Sequence, residues 1–148
     1  MSPNSDFKDL LNTFNRCEVE YLVVGGYAVM LYAEPRYTKD LEVWVRPSRE
    51  NADRVFRALA EFGAPLAGIY PVEFSKEEMI YQLGVPPARI DVVTSITGVT
   101  FEAAWARRTE AEYEDIGAHF IGLDDLIANK RAVGRASDLA DCERLARL

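Results

Sequence analysis

Histidine occurs once and cysteine twice in these 148 residues, too few for a zinc site of thiolates and imidazoles or for a disulfide framework. Cys17 and Cys142 lack CxxC spacing and read as reduced structural thiols. No apolar run approaches the roughly 18 to 20 residues of a membrane helix. The opening MSPNSDFKDLL also lacks the basic and apolar blocks of a secretory signal, so a cytoplasmic location without membrane contact is expected. There is no GxGxxG, no GxxxxGK[ST], no repeat and no Gly/Ser linker, which leaves a single domain over 1–148. Basic residues are in deficit, 17 against 24 acidic for a net charge of −7. That balance argues against extended non-specific nucleic-acid binding, which draws its affinity from clustered Lys and Arg. A small anion carrying its own metal ions fits it, as does a protein partner or a second copy.

What is present suffices for a core: 49% hydrophobic and 28% charged residues make a soluble globular domain. Phe7, Leu10, Leu11 and Phe14 recur at three and four residues, predicting an amphipathic helix behind a Ser5 cap. YLVVGG followed by YAVMLYA reads as strand, tight turn and helix. DLEVWV alternates Asp40, Glu42 and Trp44 with Leu41, Val43 and Val45, the period of a second strand beside the first. Ser48 caps a helix with Val55, Phe56, Leu59 and Phe62 on one face, ended by Gly63. YPVEF, MIYQLGV and RIDVVTS read as short strands, FEAAWARR as a helix, and EYEDIGAHFIG as a hairpin turning near Gly117. Two helices close the chain, LDDLIANKRAVG and SDLADCERLARL, the second capped by Ser137. The fold class is α/β (α+β): a small, mixed, twisted sheet with helices on one side and two C-terminal helices.

Asp40 and Glu42 project from one strand face, roughly 6 to 7 Å apart along the backbone. The same spacing occurs at Glu18/Glu20, Glu110/Glu112 and Glu112/Glu114, where solvated surface accounts for it. Asp40 and Glu42 differ in being interleaved with Leu41 and Val43 and in following the strand-Gly-Gly-helix unit. Asp91 has the same setting between Ile90 and Val92. Carboxylates embedded in apolar strands are costly unless paired or metal-bound. The competing assignments are a salt bridge of Asp91 with Arg89 or a strand-end cap, and a pair of Asp40 with Lys39. His119, without a nucleophile motif near it, reads as a satisfied or surface histidine.

Gly25-Gly26, the thirteen residues Tyr27 to Lys39, Asp40-Leu41-Glu42 and a later strand bearing Asp91 together resemble the DNA polymerase β-like nucleotidyltransferase superfamily. VGGYAVMLYAEPRYTKDLEVWV is similar to the small nucleotidyltransferases related to AbiEii-type toxins. IANKRAVGRASDLADCERL resembles their C-terminal motif, a lysine followed by an arginine and two aspartates. The resemblance implies a fold of that superfamily and transfer of a nucleoside monophosphate from an NTP to an acceptor hydroxyl on RNA, a protein or a small molecule. It implies Asp40, Glu42 and Asp91 as catalytic ligands of Mg²⁺ or Mn²⁺, with Asp91 helping to deprotonate the acceptor. It implies Gly25, Gly26, Arg36, Lys130 and Arg135 as nucleotide contacts and Asp138 as an anchor for Arg135 or the last helix; the competing assignments are an exposed turn arginine at Arg36 and a surface salt-bridge network at Lys130, Arg135 and Asp138, and Asp141 reads as structural. Glycines at a helix start suit this role, because they let a phosphate approach exposed N–H groups. The chain departs from the family where Tyr27 replaces a small hydroxyl residue and where Glu42 lengthens the second acid. A retired nucleotidyltransferase-like module, for example half of a toxin–antitoxin pair, is the alternative.

Overall fold

Six strands form one mixed sheet in the order β3-β4-β2-β1-β6-β5, seen in a computed structural model that describes residues 3–35, 38 and 40–148. β1 (Tyr21–Val24) and β2 (Asp40–Val45) pair antiparallel. β2 also pairs parallel with β4 (Arg89–Val93), and β3 (Ile80–Leu83) adds antiparallel to β4 at the edge. On the other flank β6 (Ile116–Phe120) runs parallel to β1 and antiparallel to β5 (Thr109–Tyr113). The strand over DLEVWV has the expected bounds: its alternation puts buried Leu41, Val43 and Val45 on one face, and half-buried Asp40 and Glu42 with buried Trp44 on the other.

α1 (Pro3–Arg16) buries Phe7, Leu10, Leu11 and Phe14 completely. Phe14 meets Tyr21 edge to face, which puts α1 on the Tyr21 side of the sheet with α3 (Arg49–Phe62) packed along it. α4 (Phe101–Ala106) covers the opposite face, where Phe101 stands edge-on to Trp44 at 5.1 Å. α5 (Leu123–Val133) and α6 (Ala136–Ala146) pack on each other and on α2 (Gly25–Tyr32), closing the end as expected. Ser48 accepts the Asn51 N–H, and Gly63 ends α3 in the left-handed region at φ 95°. The fully buried Asn51 accepts the Glu20 N–H and donates to the Glu20 and Arg46 carbonyls, fastening α3 to the ends of β1 and β2. No helix among the described residues is long and apolar enough to cross a membrane.

Five local expectations are corrected. α1 begins at Pro3, so Ser5 lies inside the helix instead of capping it; proline suits a first helical position. No separate turn precedes α2, which starts at Gly25 directly from β1. YPVEF is a 3₁₀ turn over Pro71–Ser75, because Pro71 cannot donate to a strand ladder and the Glu73 carboxylate accepts the Tyr70 N–H. The β5–β6 hairpin turns at Glu114 and Asp115, with Glu114 in the left-handed region at φ 59°, and Gly117 lies within β6 opposite Glu112. Finally, α6 starts before Ser137: Arg135 is its N-cap, and Asp138 accepts the Arg135 N–H at 3.2 Å.

Candidate active site

The glycine end of the site is built where β1 runs into α2. Gly25 has φ +68°, a conformation that favours glycine, and a Cβ there would press on Glu42 Oε2 at 3.1 Å. A Cβ on Gly26 would stand 2.6 Å from Thr38 Oγ1 and 2.8 Å from its Cγ2. No side chain caps the first turn of α2, and it carries no acid, which leaves its N–H groups and dipole directed at the cleft. The Thr38 hydroxyl is buried beside this turn, with no hydrogen-bond partner among the described residues. Tyr27 does not offer its hydroxyl to this turn. Its ring packs edge-on against Phe7 and Tyr113, and its hydroxyl is engaged by Tyr113.

Gly26→Ala is expected to lower the thermal midpoint, since overpacking of this kind costs about 1–3 kcal/mol, more than the helix propensity gained. Adding Thr38→Ala removes the two closest atoms and should restore most of the loss. A melt of the double variant no higher than that of Gly26→Ala would show that the crowding lies elsewhere.

β2 and β4 bring the acids together. Pairing places Glu42 opposite Asp91 and Asp40 opposite Arg89, all on the face that carries Trp44 further along β2. The carboxyls of Asp40 and Asp91 are close enough to share a hydrogen bond. Burial pushes the Glu42 carboxyl above the ordinary range, and Asp40 and Asp91 add to this; Lys130 and Arg135 act against it. Asp91 is likewise raised, first by burial and then by the neighbouring Asp40 carboxylate, against the pull of Arg89.

Arg89 lies between the two aspartates. Its Nη2 is 3.1 Å from Asp40 Oδ2 and 3.4 Å from Asp91 Oδ2. Its Nε is 3.3 Å from Asp91 Oδ1, yet neither of those two buried atoms makes a hydrogen bond. The salt bridge between Asp91 and Arg89 that the sequence allowed is therefore present, and Arg89 also pairs with Asp40. Lys39 and Arg36 lie outside the described residues.

On α5 and the turn after it, Lys130 is buried, with Nζ 3.4 Å from Asp138 Oδ1 and 3.2 Å from Asp141 Oδ2. Arg135 Nε is 2.7 Å from Asp138 Oδ2, and its side chain is 72% exposed. The charges of Lys130 and Arg135 both reach Glu42, so the closing helices supply the positive side of the cleft. Asp138 anchors Arg135 and the start of α6 together.

Arg135, and after it Lys130, hold the Asp138 carboxyl below its ordinary value against the opposing effect of burial. A carboxyl whose pKa is lowered by folding stabilises the fold above its unfolded value of about 3.9. That contribution is lost as pH falls through the lower folded value. Acid titration below about pH 4 should therefore erode stability, and Asp138→Asn should flatten the profile there. Parallel profiles for the two proteins would remove Asp138 as the cause.

As placed, no three His, Cys, Asp or Glu side chains among the described residues form a group able to hold a metal ion. The donor set nonetheless suits a hard divalent cation. It consists of carboxylate oxygens alone, and Asp91 Oδ1 is buried without a hydrogen bond. Gln82 stands opposite Asp91 on β3 and acts to lower its proton affinity. It went unread in the sequence, because only the β3–β4 register brings it there. Arg89 had a visible signal, since it stands two residues before Asp91 on one strand face. His119 pairs with Glu110 through Nδ1 at 2.6 Å and packs against Tyr21 and Trp105, as a satisfied histidine would.

No protein-family model matches the chain, and no curated protein matches it in sequence. Solved structures do resemble it. The crystal structure of the lincosamide antibiotic adenylyltransferase LnuA, with lincomycin bound, superposes with a TM-score of 0.58 at 15% identity, covering 96% of this chain and 95% of that one. TM1012 of Thermotoga maritima, provisionally described as a nucleotidyltransferase, gives 0.58 at 12% identity over 95% of this chain and 88% of its own. The six-stranded mixed sheet with its two closing helices is thus the fold of these two proteins.

Proposed function

We propose that the chain is a nucleotidyltransferase that moves a nucleoside monophosphate from an NTP to an acceptor hydroxyl. The observation that carries this reading is the meeting of Asp40, Glu42 and Asp91 on adjacent strands directly against the glycine start of α2. Asp40, Glu42 and Asp91 would hold Mg²⁺ or Mn²⁺. Bound there, the ions supply charge neutralisation for the triphosphate and for departing pyrophosphate. The N–H groups at Gly25 and Gly26 face the phosphates, and the exposed guanidinium of Arg135 closes over them. Lys130, fixed by two buried acids, contributes its charge without moving. Asp91 takes the proton of the acceptor hydroxyl. That oxygen then bonds to the α-phosphorus while the bond from the α-phosphorus to the bridging oxygen breaks and pyrophosphate leaves. The raised proton affinity of Asp91 suits a base.

LnuA is an adenylyltransferase of an antibiotic, and this chain matches 95% of it, which makes a small-molecule hydroxyl the first acceptor class to test, before RNA and protein. The test is incubation with each labelled NTP, Mg²⁺ or Mn²⁺ and a cell extract. Ion-dependent label on a small molecule, RNA or protein, absent with Asp40→Ala, supports the reading. The absence of both transfer and calorimetric NTP binding rejects it. A module that binds without turnover, such as one partner of a toxin–antitoxin pair, is favoured by one observation: Arg89 already occupies the space between Asp40 and Asp91. NTP binding without label transfer would select that reading.

A further inference from the structure

Three acids drawn together on two adjacent strands repel one another, and a fold that keeps them together without an ion needs a cation of its own. Three cations among the described residues act on the cluster. Lys130 is committed to Asp138 and Asp141, and Arg135 to Asp138; both act on Glu42 through their charge. Arg89 is the one cation among the described residues in ion-pair contact with Asp40 and Asp91.

The fit of that contact is poor. An arginine bound for good to a carboxylate usually forms two parallel N–H···O bonds. Here one nitrogen, Nη2, is divided between two carboxylates at 3.1 and 3.4 Å. Nε faces Asp91 Oδ1 at 3.3 Å with no hydrogen bond on either atom. The Arg89 side chain is 36% exposed, whereas that of Asp91 is 10% exposed. The guanidinium therefore enters from the solvent side and has a way out, while the carboxylate is held.

We propose that Arg89 is the resident counter-cation of the acidic cluster: it holds Asp40 and Asp91 together in the ion-free chain and competes with a divalent ion for them. The ion's part in this rests on the function proposed above. Arg89 is a positioning residue on this assignment, acting through the two aspartates. Ion entry requires the guanidinium to release both carboxylates, so the ion-free chain pre-forms the ligands at the expense of affinity. Arginine at this position then sets a threshold for ion occupancy that a neutral residue would not impose.

The experiment is a Mn²⁺ titration of the full chain without nucleotide, by calorimetry and by loss of the free-ion paramagnetic signal, on wild type, Arg89→Gln and Arg89→Lys. Arg89→Gln should bind Mn²⁺ roughly tenfold more tightly than wild type, and its ion-free thermal midpoint should fall. Mn²⁺ should restore that midpoint by more than it raises the wild type. Arg89→Lys, with a charge but no planar fork, should fall between, and it carries the test if Arg89→Gln folds only with Mn²⁺, itself a supporting result. Binding by Arg89→Gln with a silent wild type also supports the assignment. Wild-type binding with unchanged or weaker affinity in both variants overturns it and leaves the proposed function standing. No Mn²⁺ binding by any of the three, with or without NTP, overturns both.

Discussion

Replacing Asp40 with alanine is expected to lower nucleotidyl transfer by at least about a hundredfold, the loss that follows removal of one strong electrostatic stabiliser. Asp40 sits at the start of β2, half-buried, where it pairs with Arg89 and lies beside Asp91. Alanine therefore leaves the β1–β2 and β2–β4 pairings untouched. It also relieves the repulsion that Asp40 exerts on Glu42 and Asp91, so the thermal midpoint should stay near that of wild type. Steady-state transfer and a melt on the same preparation check the two halves together. Turnover within threefold of wild type would remove Asp40 from the catalytic machinery. A collapsed melt would turn the loss of activity into a folding effect, and Asp40→Asn, nearly equal in shape, would then decide the matter.

Lys130→Met should be the most destabilising change at the cleft. The lysine is buried between Asp138 and Asp141, which are buried themselves. Methionine fills similar volume but removes the charge, leaving two enclosed carboxylates with one cation fewer. Breaking a buried ion pair from one side costs about 3–5 kcal/mol. Arg135 still holds Asp138, so the greater part of the loss falls on Asp141. Adding Asp141→Asn should recover much of the stability. Chemical denaturation of the single and double variants measures both values. A single-variant loss below about 1 kcal/mol, the level of an exposed pair, would show that solvent reaches the site.

Much of this architecture could be read from residue order, for identifiable reasons. The face of α1, the bounds of β2 and the Ser48 and Gly63 limits of α3 rest on patterns within one element, where periodicity and capping chemistry act locally. Asp40, Glu42 and Asp91 stood out because charge on an apolar strand needs compensation, and the pairing of β2 with β4 unites them. Ser5 and Ser137 misled as caps because a proline at Pro3 and a carboxylate at Asp138 start their helices earlier. The hairpin turn was placed at Gly117 because a left-handed glutamate such as Glu114 is uncommon. Arg89 on Asp40, Gln82 on Asp91 and Tyr27 on Tyr113 each join different elements. Such contacts are set by register and packing, and a single chain pattern does not encode them visibly.

The near-contact between Gly25 and the Glu42 carboxylate also bears on where this chain tolerates added length. A methyl group fits between them only if the Glu42 carboxylate shifts, so the glycine turn and the acidic strand pack as one block. An extra residue spliced between Val24 and Gly25 would shear that block apart. The same residue spliced at Ala67, in the exposed connection after α3, would pass unnoticed by the chemistry, which makes that connection the place for a tag or a label.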